Sequence, residues 1–268
     1  MRFLRGFVAL ALILGIATPA LALEQIAFVS RDGTMLSGWL SRPAGPGPFP
    51  AVILLHGCAG LWNGSGKLAA RETDWTARLV DAGYAVLLPD SFRPRGVSAL
   101  CNDRRRSLTP ADRAQDAFGA RDWLARQAFV ASRRIGLMGW SNGGSTALEV
   151  AGETAAAGAD GFRALIAFYP GCRVLLKRGW IARAPTTILH GLADDWTPAA
   201  PCQQLASKGD AKFVGYPDAY HDFDHPSLSL RERKAAYSER ADGLVTLGTQ
   251  AEARAQAIAA TMAILQGM

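Results

Sequence analysis

The 268-residue sequence contains no low-complexity tract, no internal repeat and, after Ile16, no apolar run long enough to cross a bilayer. These absences exclude disordered, repeat and multi-span architectures. Metal and nucleotide signatures are missing as well. The cysteines form no C-x-x-C pair and no cluster with histidine, no H-E-x-x-H occurs, and no strand-like run is followed by G-x-G-x-x-G. Gly64-Ser65-Gly66-Lys67 hints at a phosphate loop, but Leu68 stands where Ser or Thr is needed, and no glycine lies five residues before Gly66. The Asp pairs lack the rhythm of a calcium loop. No metal and no cofactor is therefore expected. Basic residues are scattered. Their one cluster, Arg104-Arg105-Arg106, has no interleaved aromatics, so it reads as a solvated loop, and nucleic acid is not expected as a partner.

What is present begins with an export leader. Arg2 and Arg5 precede the uncharged apolar run 7–16, Pro19 breaks it, and Ala20-Leu21-Ala22 forms a small-x-small cleavage site. Residues 1–22 are read as a signal peptide and 23–268 as one globular domain. The run is shorter than the roughly 20 apolar residues a membrane anchor needs, and no cysteine follows the cleavage site to carry a lipid. An exported protein, periplasmic or secreted and without a stable membrane anchor, is expected. Loss of the two arginines lowers the formal charge from +6 to +4. Cys58, Cys101, Cys172 and Cys202 all lie in the mature part, and an even number in an exported chain points to disulfides, with three pairings open.

Short apolar runs alternate with longer amphipathic stretches, the pattern of an α/β protein with a mostly parallel sheet. Residues 26–30 and 35–40, around Arg31-Asp32-Gly33, read as an antiparallel hairpin at the sheet edge. Further strands are expected over 51–55, 84–88, 134–138, 164–169, 186–189 and 212–216. Helices are expected over 68–82, from Pro110 to about 127, from the turn at Ser141 to about 156, and over 250–265. The stretch 91–109 reads as a long irregular loop.

The chemistry gathers at Gly139-Trp140-Ser141-Asn142-Gly143, a G-x-S-x-G pattern between an expected strand and an expected helix. In that context the serine occupies a strained turn that holds its hydroxyl over the sheet, and flanking glycines remove the Cβ atoms that would clash. A serine nucleophile needs a base, and the base needs an orienting acid, in the chain order Ser, acid, His. Of the four histidines, His56 and His190 end strands upstream of where the base should lie. His221 sits in a short loop after the last strand; His225 precedes Pro226, which restricts its backbone. His221 is the expected base. Asp194 and Asp195, after the strand over 186–189, are both eligible as the acid. The amides of Cys58 and Asn142 are the expected oxyanion donors.

Five short stretches then resemble the dienelactone hydrolase family in order: 49–57 (FPAVILLHG), 83–92 (GYAVLLPDSF), 139–144 (GWSNGG), 191–195 (GLADD) and 220–223 (YHDF). The resemblance implies the α/β-hydrolase fold, an eight-stranded, mostly parallel sheet with helices on both faces. It maps the acid to Asp194, supports His221 as the base, and maps the oxyanion donors to Cys58 and Asn142. Two positions depart from it. Family members proper carry a Cys nucleophile where this chain has Ser141, and a Glu where it has Gly57. Both changes turn the expected substrate from a dienelactone to a small carboxylic ester or lactone handled by serine chemistry. Trp140-Ser141 is also similar to the elbow of prolyl-oligopeptidase-like peptidases, whose large extra domain this length does not accommodate. A peptidase, an acyltransferase and a non-catalytic periplasmic binding protein are the alternatives carried forward. Cys58 and Cys101 follow neighbouring strands, as do Cys172 and Cys202, so Cys58–Cys101 and Cys172–Cys202 are the expected bridges. Arg93, Arg95 and Trp140 are candidate substrate contacts.

Overall fold

The structure is a computed structural model that describes residues 22–105 and 107–268. The expected leader, apart from Ala22, and Arg106 of the basic cluster lie outside the described residues. Among the described residues no helix is long and apolar enough to cross a membrane.

Strand β1 (Glu24–Val29) turns back into β2 (Met35–Ser41) as an antiparallel edge hairpin. The chain then enters β3 (Phe49–Leu55), crosses through α1 (Ala70–Asp81) to β4 (Ala85–Asp90), and returns through α2 (Pro110–Ala125) to β5 (Val130–Trp140). From there it steps outward through α3 (Asn142–Gly152), β6 (Ala164–Phe168), α4 (Arg173–Lys177), β7 (Thr186–Gly191), α5 (Ala199–Lys208) and β8 (Lys212–Tyr216). The sheet order is β1-β2-β4-β3-β5-β6-β7-β8, parallel from β3 to β8 with β2 antiparallel to both neighbours. This is the α/β-hydrolase fold.

Crossover handedness decides which helix covers which face. The step from β3 to β4 runs one way across the sheet, and all later steps run the other way, so α1 faces opposite to α2, α3 and α5. The buried side chains follow the two-residue period of a strand. Val52 and Leu54 pack with Trp75 and Leu79 of α1, whereas Ala51, Ile53 and Leu55 pack with Phe118 of α2 and Leu148 of α3. The reversal of direction at β3 opens a crevice at the carboxyl ends of β3 and β5, where ligands of such sheets bind.

Two helices and two strands were not expected from the sequence: α4, α5 and the small hairpin of β9 (Arg231–Lys234) and β10 (Leu244–Leu247); α6 (Ala251–Gln266), near the expected 250–265, follows. Arg231-Glu232-Arg233-Lys234 shows no apolar alternation because its partner supplies the apolar side: Val245 and Leu247 are buried beside Trp196 and Leu228. Strand β5 also begins four residues before the expected position 134 and runs up to the nucleophile turn.

Candidate active site

Ser141 joins β5 to α3 with φ 53° and ψ −113°, a conformation costing about 1–3 kcal/mol for a residue with a side chain. Two close approaches require the flanking glycines. A Cβ on Gly139 would lie 2.1 Å from the Gly143 carbonyl oxygen, and one on Gly143 would lie 2.1 Å from that of Leu55. The Ser141 amide donates to the Phe168 carbonyl at 2.9 Å, which ties the turn to the end of β6.

Asp194 follows β7, and His221 lies in the loop after β8. The imidazole Nδ1 is 2.8 Å from Asp194 Oδ2, both side chains being buried. Asp194 Oδ1 accepts from the amides of Trp196 and Thr197 at 2.9 Å, and Oδ2 accepts from the Thr197 hydroxyl at 2.9 Å. Burial pushes the Asp194 carboxyl up, but attraction to His221 and these hydrogen bonds outweigh it and hold it below the ordinary carboxylate range. Burial likewise pulls His221 down, and Asp194 overcomes this and leaves it above the ordinary imidazole value. An ionised Asp194 only accepts, so in neutral His221 the proton sits on Nδ1 and the lone pair on Nε2. That Nε2 is buried without a hydrogen-bond partner; the imidazole lies between the rings of Tyr169 and Trp196, at 4.6 and 4.7 Å. No hydrogen bond from Ser141 to this nitrogen is formed; catalytic contacts of this kind commonly tighten only around the substrate.

The other eligible residues face elsewhere. Asp195 binds Thr246 of β10 through its amide at 2.7 Å and its hydroxyl at 2.8 Å. His225 Nδ1 accepts from the Ser227 amide at 3.1 Å. His56 and His190 are buried strand-end residues whose Nδ1 atoms lie 2.9 and 3.0 Å from the carbonyl oxygen of the following glycine.

A cavity of about 520 Å³ opens on Ser141 and Asn142, walled by Cys58, Leu100, Leu175 and Trp196. Two ion pairs, Arg173 with Glu239 and Arg178 with Glu149, also line it. Cys58 is bonded to Cys101, and Cys172 to Cys202.

The three candidate substrate contacts do not line the cavity at Ser141. Trp140 is fully buried: one residue before the turn it shares the face of Met138, and its indole N–H donates to Asp224 at 2.7 Å. Arg95 is held by both oxygens of Asp116, at 3.0 and 2.8 Å, and by Asp32 at 2.9 Å. Arg93 lies 4.5 Å over the Trp62 ring, beside a separate cavity of about 360 Å³.

Residue reasoning missed a buried polar cluster behind the site. Asp224 accepts from Trp75 at 2.8 Å, from Trp140 at 2.7 Å and from the Tyr169 hydroxyl at 2.5 Å. Arg71 donates to Asp222 at 2.5 Å and to the Tyr169 hydroxyl at 3.0 Å. Asp194 carried a local signal, since its carboxylate accepts from the amide of Trp196 two residues on, the spacing of an Asx-type turn.

With the fold and this geometry in view, the dienelactone hydrolase family description matches residues 36–266. The chain belongs to the dienelactone hydrolase family. Among solved structures it resembles a dienelactone hydrolase described as putative from Klebsiella pneumoniae, at 19% identity and TM-score 0.65 over 91% of this chain and 99% of that one. A dienelactone hydrolase-like promiscuous phosphotriesterase from metagenomic libraries matches at 22% identity and TM-score 0.65, over 92% and 98%. At these identities the likeness is one of fold. A curated relative, the uncharacterized peptidase YuxL of Bacillus subtilis, is 24% identical over 257 residues, covering 78% of this chain. The chain spans 37% of that relative's length. Membership of the dienelactone hydrolase family supports a hydrolase activity. At Gly57, where the family carries Glu, an added Cβ would meet Arg71 Nη2 and Ser141 Cβ at 3.7 Å, both ordinary contacts.

Proposed function

We propose that the protein hydrolyses a small carboxylic ester or lactone through Ser141, His221 and Asp194. The observation that carries this reading is the buried 2.8 Å contact of His221 with Asp194, in the same sheet-end crevice as the strained Ser141. Ser141 Oγ attacks the carbonyl carbon while His221 Nε2 takes its proton. The carbonyl oxygen becomes an oxyanion facing the amides of Cys58 and Asn142. Collapse of the tetrahedral adduct expels the alcohol, protonated by His221, and leaves an acyl-Ser141. Water then repeats the sequence and releases the acid. Asp194 stays ionised throughout and fixes the imidazole tautomer. The apolar wall of Leu100, Leu175 and Trp196 suits an acyl or alkoxy group of moderate size. The two disulfides support an oxidising compartment outside the cytoplasm.

Incubation of the folded protein with a fluorophosphonate, followed by peptide mapping, tests the reading: Ser141 is labelled, and Ser141→Ala is not. Because His221 works as a base only when neutral, labelling accelerates as pH rises, with a midpoint above about 6.5, the ordinary imidazole value. His221→Ala lowers turnover by about 10⁴ or more. An unlabelled wild type overturns the reading. Peptide hydrolysis is the second reading, favoured by the YuxL relative and by the charged pairs lining the cavity. A panel of p-nitrophenyl esters against dipeptide anilides separates the two.

A further inference from the structure

Both oxyanion donors of the proposed reaction are backbone amides, so whatever fixes their peptide planes aims them. One buried side chain reaches both the loop that leads to Cys58 and the side chain of Asn142. Arg113, on α2, is fully buried; its Nη1 donates to the Asn142 side-chain oxygen at 2.5 Å, and its Nη2 donates to the His56 carbonyl at 2.9 Å. The guanidinium lies 5.1 Å from the centre of the Phe92 ring, which packs edge-on against His56 at 4.5 Å. His56 Nδ1 in turn lies 2.9 Å from the Gly57 carbonyl oxygen, which also accepts from the Gly60 amide at 3.2 Å. The Gly57 carbonyl and the Cys58 amide belong to one planar unit and point oppositely, so holding the first aims the second. On the other side, Asn142 is the first residue of α3, where an amide has no intrahelical acceptor and is free for a ligand.

Among the described residues, every acceptor hydrogen-bonded to Arg113 is neutral. Asp116, three residues on, is engaged by Arg95 instead. Burial pushes the Arg113 guanidinium down to about 10, so it stays charged at neutral pH. A buried cation without a hydrogen-bonded anion is costly, and hydrogen bonding alone does not require one.

We propose that Arg113 is the positioning residue of the oxyanion site, clamping the loop before Cys58 to the elbow after Ser141 and supplying a buried positive charge beside them. This rests on the hydrolase reading above. The test measures kcat and KM on a p-nitrophenyl ester for wild type, Arg113→Met and Asn142→Ala, with circular dichroism to establish folding. Arg113→Met lowers kcat about 100-fold with KM within about threefold, the scale of a misaimed oxyanion donor, and added guanidinium recovers part of the loss. Asn142→Ala removes one anchor without opening the core around Arg113, and lowers kcat about tenfold at constant KM. Wild-type kcat in Asn142→Ala, or in a folded Arg113→Met, refutes the clamp. So does a loss that guanidinium leaves unchanged while KM rises in parallel, the mark of a merely structural role. If Arg113→Met fails to fold, Asn142→Ala decides alone. Failure of the parent reading is a separate result, an unlabelled Ser141 in the wild type.

Discussion

Asp224 directly follows Phe223 and lies three residues past His221, fully buried, and receives three hydrogen bonds from side chains of α1, β5 and the residue after β6. Replacement by alanine strands Trp75, Trp140 and Tyr169 as buried donors, each costing about 1–3 kcal/mol. Asp224→Ala is therefore expected to lose at least about 3 kcal/mol in urea denaturation. It should also shift tryptophan fluorescence, since two of the three donors are indoles. A loss below about 1 kcal/mol would contradict this account. The same carboxylate holds Trp140, next to the nucleophile, away from the cavity. Its side chain points across the sheet to the α1 face, and its only polar atom is already engaged.

Among the elements, loops outnumber strands in shaping the cavity, and each disulfide controls a different wall. The Cys58–Cys101 bond joins the loop after β3 to the stretch after β4, where the Leu100 amide also donates to the Cys58 carbonyl at 2.8 Å. The Cys172–Cys202 bond joins the start of α4 to α5. With the paired cysteines 43 and 30 positions apart, loop-closure entropy gives about 4 kcal/mol for each bridge as an upper figure. Cys58→Ser with Cys101→Ser is expected to lower the Tm and to slow fluorophosphonate labelling of Ser141, because the loop carrying one oxyanion donor is released. Cys172→Ser with Cys202→Ser is expected to lower the Tm but to change KM across an ester chain-length series more than kcat, because α4 forms a wall away from the reacting atoms. Equal effects of the two pairs on labelling rate would refute this division.

The molecule as a whole buries three of its four histidines at the carboxyl edge of the sheet, and their titration sets an acid limit on stability. Burial holds His56 well below the ordinary imidazole value and His190 below it. As pH falls, the unfolded chain protonates these positions near 6.5 while the folded chain resists. Their stabilisation is therefore present above about pH 6.5 and is lost as pH falls through the folded values, by up to about 1.4 kcal/mol per unit for each. His221 runs the other way: its folded value is raised, so its contribution is full below about 6.5 and fades as pH rises through the raised value. Burial lowers the half-buried His225 as well, so among the histidines three oppose one. The urea midpoint is expected to be lower at about pH 5.5 than at about pH 7.5, and the drop to be smaller in His190→Gln. Equal midpoints in the wild type would remove this explanation.

The sequence by itself determined the alternation of strands and helices, the strained elbow at Ser141, and the spacing that brings a downstream Asp and His to the same sheet edge. Each of these depends on a few adjacent residues, whose period, glycines and turn chemistry are written locally. Adjacent residues left Asp194 and Asp195 both eligible, a tie that only the family resemblance broke; the tertiary structure gives the physical reason, since the distant β10 engages the Asp195 carboxylate and leaves Asp194 to meet His221. It alone brought Arg113 to Asn142, 29 residues away, and Trp75 to Asp224, 149 residues away. It also withdrew Arg93, Arg95 and Trp140 from the cavity by giving each a partner elsewhere. A side chain's neighbours across the fold are set by packing and by competition for buried partners. Neither leaves a trace in the spacing of adjacent residues.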